Sequence, residues 1–292
     1  MNPAHPRSSS ANRRNLIQTA GFVLLSLVAL STVLPILLIL VTIFAQGLPA
    51  ISWEFLTAFP TDGMRAGGVF PAILGTVYLT FFTTLLAVPL GIAAAIYLSE
   101  YAPDNIWTRI IRIAIINLAG IPSIVYGLFG LGIFVIFFKF GASILAASFT
   151  LAIMTLPTII STAEEALRAV PQSFRVVSIS LGATRWQTIR HIVLGQSLPG
   201  ILTGVILGLE RAAGETAPIL LTGAAFYLPA LPSSPLDATM ALPYHLYVIS
   251  TQVPGMPAQV QYGTAVVLLI LVLGLNLLAT IIRSRARARR QW

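Results

Sequence analysis

Residues 162–223 read TAEEALRAVPQSFRVVSISLGATRWQTIRHIVLGQSLPGILTGVILGLERAAGETAPILLTG, and the rest of the chain is legible as support for this stretch. It opens with the charged run 162–191 and passes without a break into the apolar segment 192–209. It closes on Glu210-Arg211-Ala-Ala-Gly-Glu215-Thr-Ala-Pro218. The first part is the longest charged run between apolar spans, and the last puts three charges where a membrane helix should carry none.

The charged run carries its own local signals. Pro171 suits the first position of a helix, where its missing N–H costs nothing, and residues 171–180 follow a helical period. Gly182 is placed to end that helix in a left-handed cap. Thr184 and Gln187 then match a capping box that starts a second helix, continuous with the next apolar segment. The loop therefore reads as helix, glycine turn, helix. A short rigid helix at a membrane face can be a lever for a partner's motion; an ordinary amphipathic surface helix is the alternative.

In the apolar segment, Gly200, Gly204 and Gly208 stand four apart, the small-residue pattern that lets membrane helices approach closely. At about 100° per residue, Arg211 and Glu215 fall within the same stripe of roughly 80° as those glycines, and Glu210 lies off it. A charge in mid-membrane costs about 2.5–3.5 kcal/mol on insertion scales, so an unpaired decoration is a poor account of Arg211 and Glu215. They form a structural bridge, with each other or with a partner, or they line a pathway. A guanidinium binds a tetrahedral oxyanion bidentately. A carboxylate accepts the proton of monohydrogen phosphate, which ionised sulfate lacks. Thr216, and Ser123 beside the break at Pro122, can add hydroxyl donors. Glu164 with Arg168, and Glu100 and Asp104, read as solvated inner-face charges.

Of the 292 residues 57% are hydrophobic and 9% are charged, against about 25% charged in soluble domains. This is an all-α integral membrane protein. The net charge of +8 sits in short clusters beside apolar spans, which argues against nucleic acid as a partner and for membrane lipid. There is no cysteine, hence no disulfide or thiolate chemistry. His5, His191 and His245 lack metal-ligand spacing, so no metal is expected. Neither a nucleophile–base pair nor a metal cluster speaks for an enzyme. The only lysine is Lys139, in Phe-Phe-Lys-Phe-Gly. A P-loop needs Gly-Lys-Ser/Thr, so any ATP is bound by another subunit.

Apolar runs of about 20 residues mark six spans: 16–45, 69–98, 109–138, 142–161, 192–213 and 262–282. The first is too long for a signal peptide, whose apolar region is about 7–15 residues. With the N-terminus inside, every basic residue except Arg65, Lys139 and Arg211 falls on the inner side, as the positive-inside rule requires. Both termini are thus expected in the cytoplasm. The organisation is a disordered cytoplasmic tail at 1–15, the first span and outer loop at 16–68, the core at 69–283 with an inner loop at 162–191, and a basic tail at 284–292. The outer connections 47–68 and 223–261, rich in Pro, Gly and aromatics, read as ordered turns and short interfacial pieces that can meet another protein, or as plain loops.

Leu181-Gly182-Ala183, nine residues before Ile192-Val-Leu194, resembles the cytoplasmic "EAA" loop of ABC-importer permeases. The namesake acidic and alanine positions are Val176, Val177 and Ser178 here, and Gly195 stands in place of the usual proline. Gly67-Gly68-Val-Phe-Pro-Ala-Ile-Leu-Gly-Thr76, Tyr97-Leu-Ser-Glu-Tyr101, Ile121-Pro-Ser-Ile-Val-Tyr-Gly127 and Arg211-Ala-Ala-Gly-Glu-Thr-Ala-Pro218 resemble segments of bacterial phosphate importer permeases, from about Gly67 to Arg283. Gly-Glu-Thr-Ala-Pro and Ala-Leu-Pro243 are similar to the PstA-type subunit rather than its PstC-type partner.

The resemblance implies a type I, MetI-like permease in the bacterial cytoplasmic membrane that forms half of a phosphate pathway. It implies a PstC-like second permease, two PstB-like ATPase subunits carrying ATP and Mg inside, and a periplasmic or lipid-anchored PstS-like phosphate-binding protein outside, with no cofactor on this chain. The loop helix would dock into a groove on the ATPase, through Arg175, Arg185 or its apolar face, with Pro171, Ser178, Leu181, Gly182 and Ala183 shaping it. Arg211, Glu215, Thr216 and Ser123 would line the pathway. A PstC-like role, another oxyanion, or a stand-alone channel or secondary transporter remain as alternatives.

Overall fold

The computed structural model describes residues 9–288. Helix α1 spans Ser9–Gly47. It starts inside the stretch expected to be a disordered tail, of which residues 1–8 lie outside the described residues. A turn at Leu48–Ala50 leads to α2, Trp53–Thr57, capped by the Ser52 hydroxyl. A two-residue hairpin follows, β1 Pro60–Thr61 antiparallel to β2 Ala66–Gly67. Helix α3, Phe70–Ile96, ends in a π-turn at Tyr97–Tyr101.

Helix α4, Ile106–Ala119, and α5, Ser123–Gly130 with its π-helical extension Leu131–Phe137, are bent by 103° across the gap between them. The third span is therefore two arms about the break at Pro122. Proline supplies no N–H to the carbonyl four residues back, and that carbonyl, Leu118 O, accepts from Ile121 N–H at 3.1 Å and from the Tyr126 hydroxyl at 2.7 Å.

Helix α6 covers Ile144–Arg168, so residues 162–168, expected at the start of the inner loop, extend the fourth span instead. Then come α7, Gln172–Ser180, and α8, Arg185–Thr188, which passes through a π-turn at Ile189–Val193 into α9, Leu194–Gly214. Helix α10, Ala217–Thr222, follows α9 directly, α11, Leu242–Thr251, lies in the second outer connection, and α12, Ala258–Ala288, ends the described chain. Residues 284–288 of the expected basic tail are helical, and 289–292 lie outside the described residues. Among the described residues five helices are long and apolar enough to cross a membrane, and the bent pair makes a sixth candidate.

Helix α6 is the centre of the molecule, with two-thirds of its apolar window buried (67%) against none for α1. It packs on α3 along one side and α9 along the other, and α12 joins α9 to α1. The glycine stripe makes the α6–α9 seam. A Cβ at Gly204 would meet Thr162 Cβ at 2.8 Å, one at Gly208 would meet Ile159 Cγ1 at 3.0 Å, and one at Gly200 would run into Ala166.

The outer connections are ordered. Thr222, Asp237 and Pro235 carbonyls accept from the Ser143, Ile144 and Leu145 N–H groups that open α6. Leu242 N–H donates to Thr76 Oγ1 at 2.8 Å, and Arg65 holds Pro254 O through Nε and Nη2 at 3.1 and 2.8 Å.

Candidate functional site

Two groups of residues come together, one at the elbow between α7 and α9 and one at the end of α9. The elbow follows its local signals with one shift: Pro171 is the N-cap of α7 rather than its first residue. Gly182 has φ +87°, its N–H donates to Ile179 O at 2.9 Å, and Ala183 N–H donates to Ser178 O at 3.2 Å. This pair of bonds is a Schellman cap, which needs a left-handed residue at the glycine. Thr184 Oγ1 accepts from Gln187 N–H, and Gln187 Oε1 accepts from Thr184 N–H, completing the capping box. Ser178 is buried and shares a hydrogen bond of 2.9 Å with Thr188 Oγ1, which locks the two helices across the turn.

The elbow exposes large apolar side chains among its polar ones. Leu181 is 84% exposed at its tip, and Val176, Val177, Ile179 and Trp186 are all more than half exposed. Arg175 does not join them. Its Nη2 lies 2.6 Å from Glu100 Oε1 and its Nε 3.2 Å from Oε2, and it also donates to Val170 O and Leu167 O. Arg185 donates to the Glu100 carbonyl and lies over the Tyr101 ring, 5.0 Å from its centroid. Glu164, taken from sequence as a solvated charge, is nearly buried and receives Arg112 at 2.8 Å as well as Arg168 at 3.0 Å. Glu100 is equally enclosed. Sequence reasoning paired Glu164 with Arg168 but missed the burial of both acids, because Arg112 and Arg175 reach them from other helices. The one local hint is an acid directly following an apolar span.

At the other end, Arg211 Nε pairs with Glu215 Oε1 at 3.5 Å, with side chains 30% and 18% exposed. The stripe reasoning holds for Arg211 but not for Glu215. Helix α9 ends at Gly214 and Glu215 is already extended, with ψ 137°, so helical phase does not set its direction. Among the described residues no hydrogen bond occupies the two terminal amino groups of Arg211, and none joins the hydroxyls of Thr216 or Ser123 to this pair. Thr216 precedes α10 and Ser123 opens α5. These two helices pack closely: a Cβ at Gly127 would meet Pro218 Cα at 3.0 Å. Tyr126, one turn from Ser123, lies within electrostatic reach of Arg211. The break in the third span and the charged end of the fifth are thus neighbours. Among the described residues no three His, Asp or Glu side chains gather to hold a metal ion.

Residues 87–290 match the family described as binding-protein-dependent transport system inner membrane component. The chain belongs to this family. Like other members of that permease family it is a multi-pass membrane subunit of an ABC importer. Among its relatives, the probable ABC transporter permease protein YqgI of Bacillus subtilis is 33% identical over 250 residues, 81% of this chain and 85% of the relative. The phosphate transport system permease protein PstA 1 of Mycobacterium tuberculosis is 34% identical over 284 residues, 95% of this chain and 90% of the relative. The fold is also that of a chain in a solved bacterial ABC transporter involved in import of the acidic polysaccharide alginate. That match has a TM-score of 0.67 at 15% identity, over 94% of this chain and 98% of the other.

Proposed function

We propose that this chain is the PstA-type permease subunit of a phosphate importer. It forms half of the translocation pathway beside a second, PstC-like permease in a bacterial cytoplasmic membrane, with both termini inside. A phosphate-binding protein docks on the outer connections. Two ATPase subunits bind ATP and Mg, and the α7–α8 elbow docks into a groove on one of them; this chain performs no covalent chemistry.

The observation that carries the substrate reading is the half-engaged guanidinium of Arg211. Glu215 is paired through Nε at 3.5 Å, and among the described residues no hydrogen bond occupies the two terminal amino groups, donors of the kind that match a tetrahedral oxyanion. Glu215 beside it can accept the proton that monohydrogen phosphate carries and sulfate does not. The names of the relatives favour the same substrate. On the inner side, the exposed Leu181 and valines replace the acidic contact of the EAA loop, so docking on the ATPase is apolar in character.

The test is phosphate uptake by the whole transporter with Arg211→Gln, alongside complex assembly and ATP hydrolysis. Losing a charge-assisted contact predicts a fall in uptake of roughly tenfold or more with assembly intact. Unchanged uptake rules out the pathway role. Loss of assembly assigns Arg211 to a bridge that holds α9 to its neighbours.

A further inference from the structure

The α7–α8 elbow is fixed to the membrane helices by Glu100. This residue sits in the π-turn that ends α3, where Ala102 N–H reaches back to Tyr97 O at 2.8 Å and the chain gains a fraction of a turn. Such bulges re-aim side chains and recur at functional positions. The result is a carboxylate only 8% exposed, turned under α7 and met there by Arg175, itself 13% exposed.

Both carboxylate oxygens accept from the Arg175 fork, and the remaining donors of that guanidinium go to Leu167 O and Val170 O at the inner end of α6. Arg185 of α8 holds the Glu100 main-chain carbonyl and stacks on Tyr101. One short segment of α3 thereby grips both arms of the elbow, by side chain on α7 and by main chain on α8. A bidentate arginine fixes direction as well as distance, and a nearly buried pair cannot part without leaving an uncompensated charge. Tilting or sliding the elbow therefore drags the inner end of α3. A second staple makes the block continuous: Arg112 of α4 holds Glu164 of α6 and Leu98 O of α3 at 2.8 and 2.9 Å.

We infer that Glu100 is the positioning residue that carries displacement of the elbow into the second span, so that ATPase closure moves α3 and not the loop alone. This rests on the reading of the elbow as the ATPase dock.

The experiment uses the complete transporter in proteoliposomes and reads phosphate imported per ATP hydrolysed, together with the stimulation of hydrolysis by the loaded binding protein. With Glu100→Gln the complex assembles and hydrolyses ATP, and phosphate per ATP falls roughly two- to thirtyfold, the range for residues along a coupling network. The charge-swapped pair Glu100→Arg with Arg175→Glu recovers part of the loss. If Glu100→Gln fails to assemble, Arg175→Lys keeps the charge but not the fork, and the same drop in the ratio is expected from it. An unchanged ratio in the assembled variant, or uptake and hydrolysis falling in equal proportion, overturns the inference. Leu181→Asp run in parallel separates the two readings. If it leaves the ATPase bound and coupled, the dock is misassigned. If it releases the ATPase while the ratio in Glu100→Gln is normal, only the link through Glu100 fails.

Discussion

At the scale of single residues, burial decides what a polar group can do. His245 sits in α11, a ten-residue outer helix that does not span. It is 2% exposed, and its Nδ1 has no hydrogen-bond partner among the described residues. Burial disfavours the imidazolium and lowers its pKa to about 4. Above the unfolded value near 6.5 the ring is neutral in both states, and the native state bears no protonation penalty. As pH falls from about 6.5 to about 4 the unfolded chain takes the proton and the folded one does not, so stability is lost at up to about 1.4 kcal/mol per pH unit. The melting temperature of the detergent-solubilised protein should therefore fall between pH 7 and pH 5, and fall less in His245→Gln. An equal slope in both would remove His245 as the cause. Glu100 and Glu164 make the complementary case: acids that composition alone places in solvent are held under the helices by Arg175 and Arg112, with which they share no local pattern.

At the scale of elements, the α6–α9 seam is a close contact set by small residues. The ideal Cβ of Gly204 already stands 2.8 Å from Thr162 Cβ, whereas Gly214, ten residues on, has nothing within 4 Å. Overpacking a close seam costs about 1–3 kcal/mol. Gly204→Val should lower the melting temperature of the solubilised protein by several degrees, while Gly214→Ala should leave it nearly unchanged. Equal effects would mean that the stripe does not set the helix spacing. The elbow is the other element built to tight rules, with the Schellman cap at Gly182 and the capping box at Thr184 back to back. Together they fix the angle between α7 and α8 locally, before the grip of Glu100 is added. The bend at Pro122 is of a different kind. Its 103° is stabilised by the Tyr126 hydroxyl, and by the fit of α10 against Gly127.

At the scale of the whole molecule, the elbow hangs from a block of ion-paired helix ends and carries exposed apolar side chains at its turn. Helices α3, α4 and α6 are stapled together at one end, α7 and α8 hang from that block, and Leu181 at the turn is 84% exposed. Exposed positions without specific contacts tolerate substitution within about 0.5 kcal/mol. Leu181→Asp should accordingly leave the melting temperature of the isolated subunit unchanged. The same variant should abolish co-purification of the ATPase subunit with the assembled transporter. Retention of the ATPase at normal stoichiometry would move the dock elsewhere on the inner face.

The sequence by itself determined the membrane class, the six candidate spans, the helix–glycine–helix elbow with both of its caps, and the glycine stripe of α9. All of these are local or periodic: apolar run length, a turn that requires positive φ, hydroxyl and amide three residues apart, small residues every four. It also brought Arg211 and Glu215 together, though the helical phase behind that pairing stops at Gly214. Only the tertiary structure decided which carboxylate each arginine takes, that Arg175 turns inward and leaves an apolar tip, and how sharply the third span breaks. It alone made α6 the buried centre and set the broken span beside Arg211. The physical reason is range. Glu100 and Arg175 are 75 residues apart and Arg112 and Glu164 are 52, and an ion pair between helices exists only once packing has chosen which helices are neighbours.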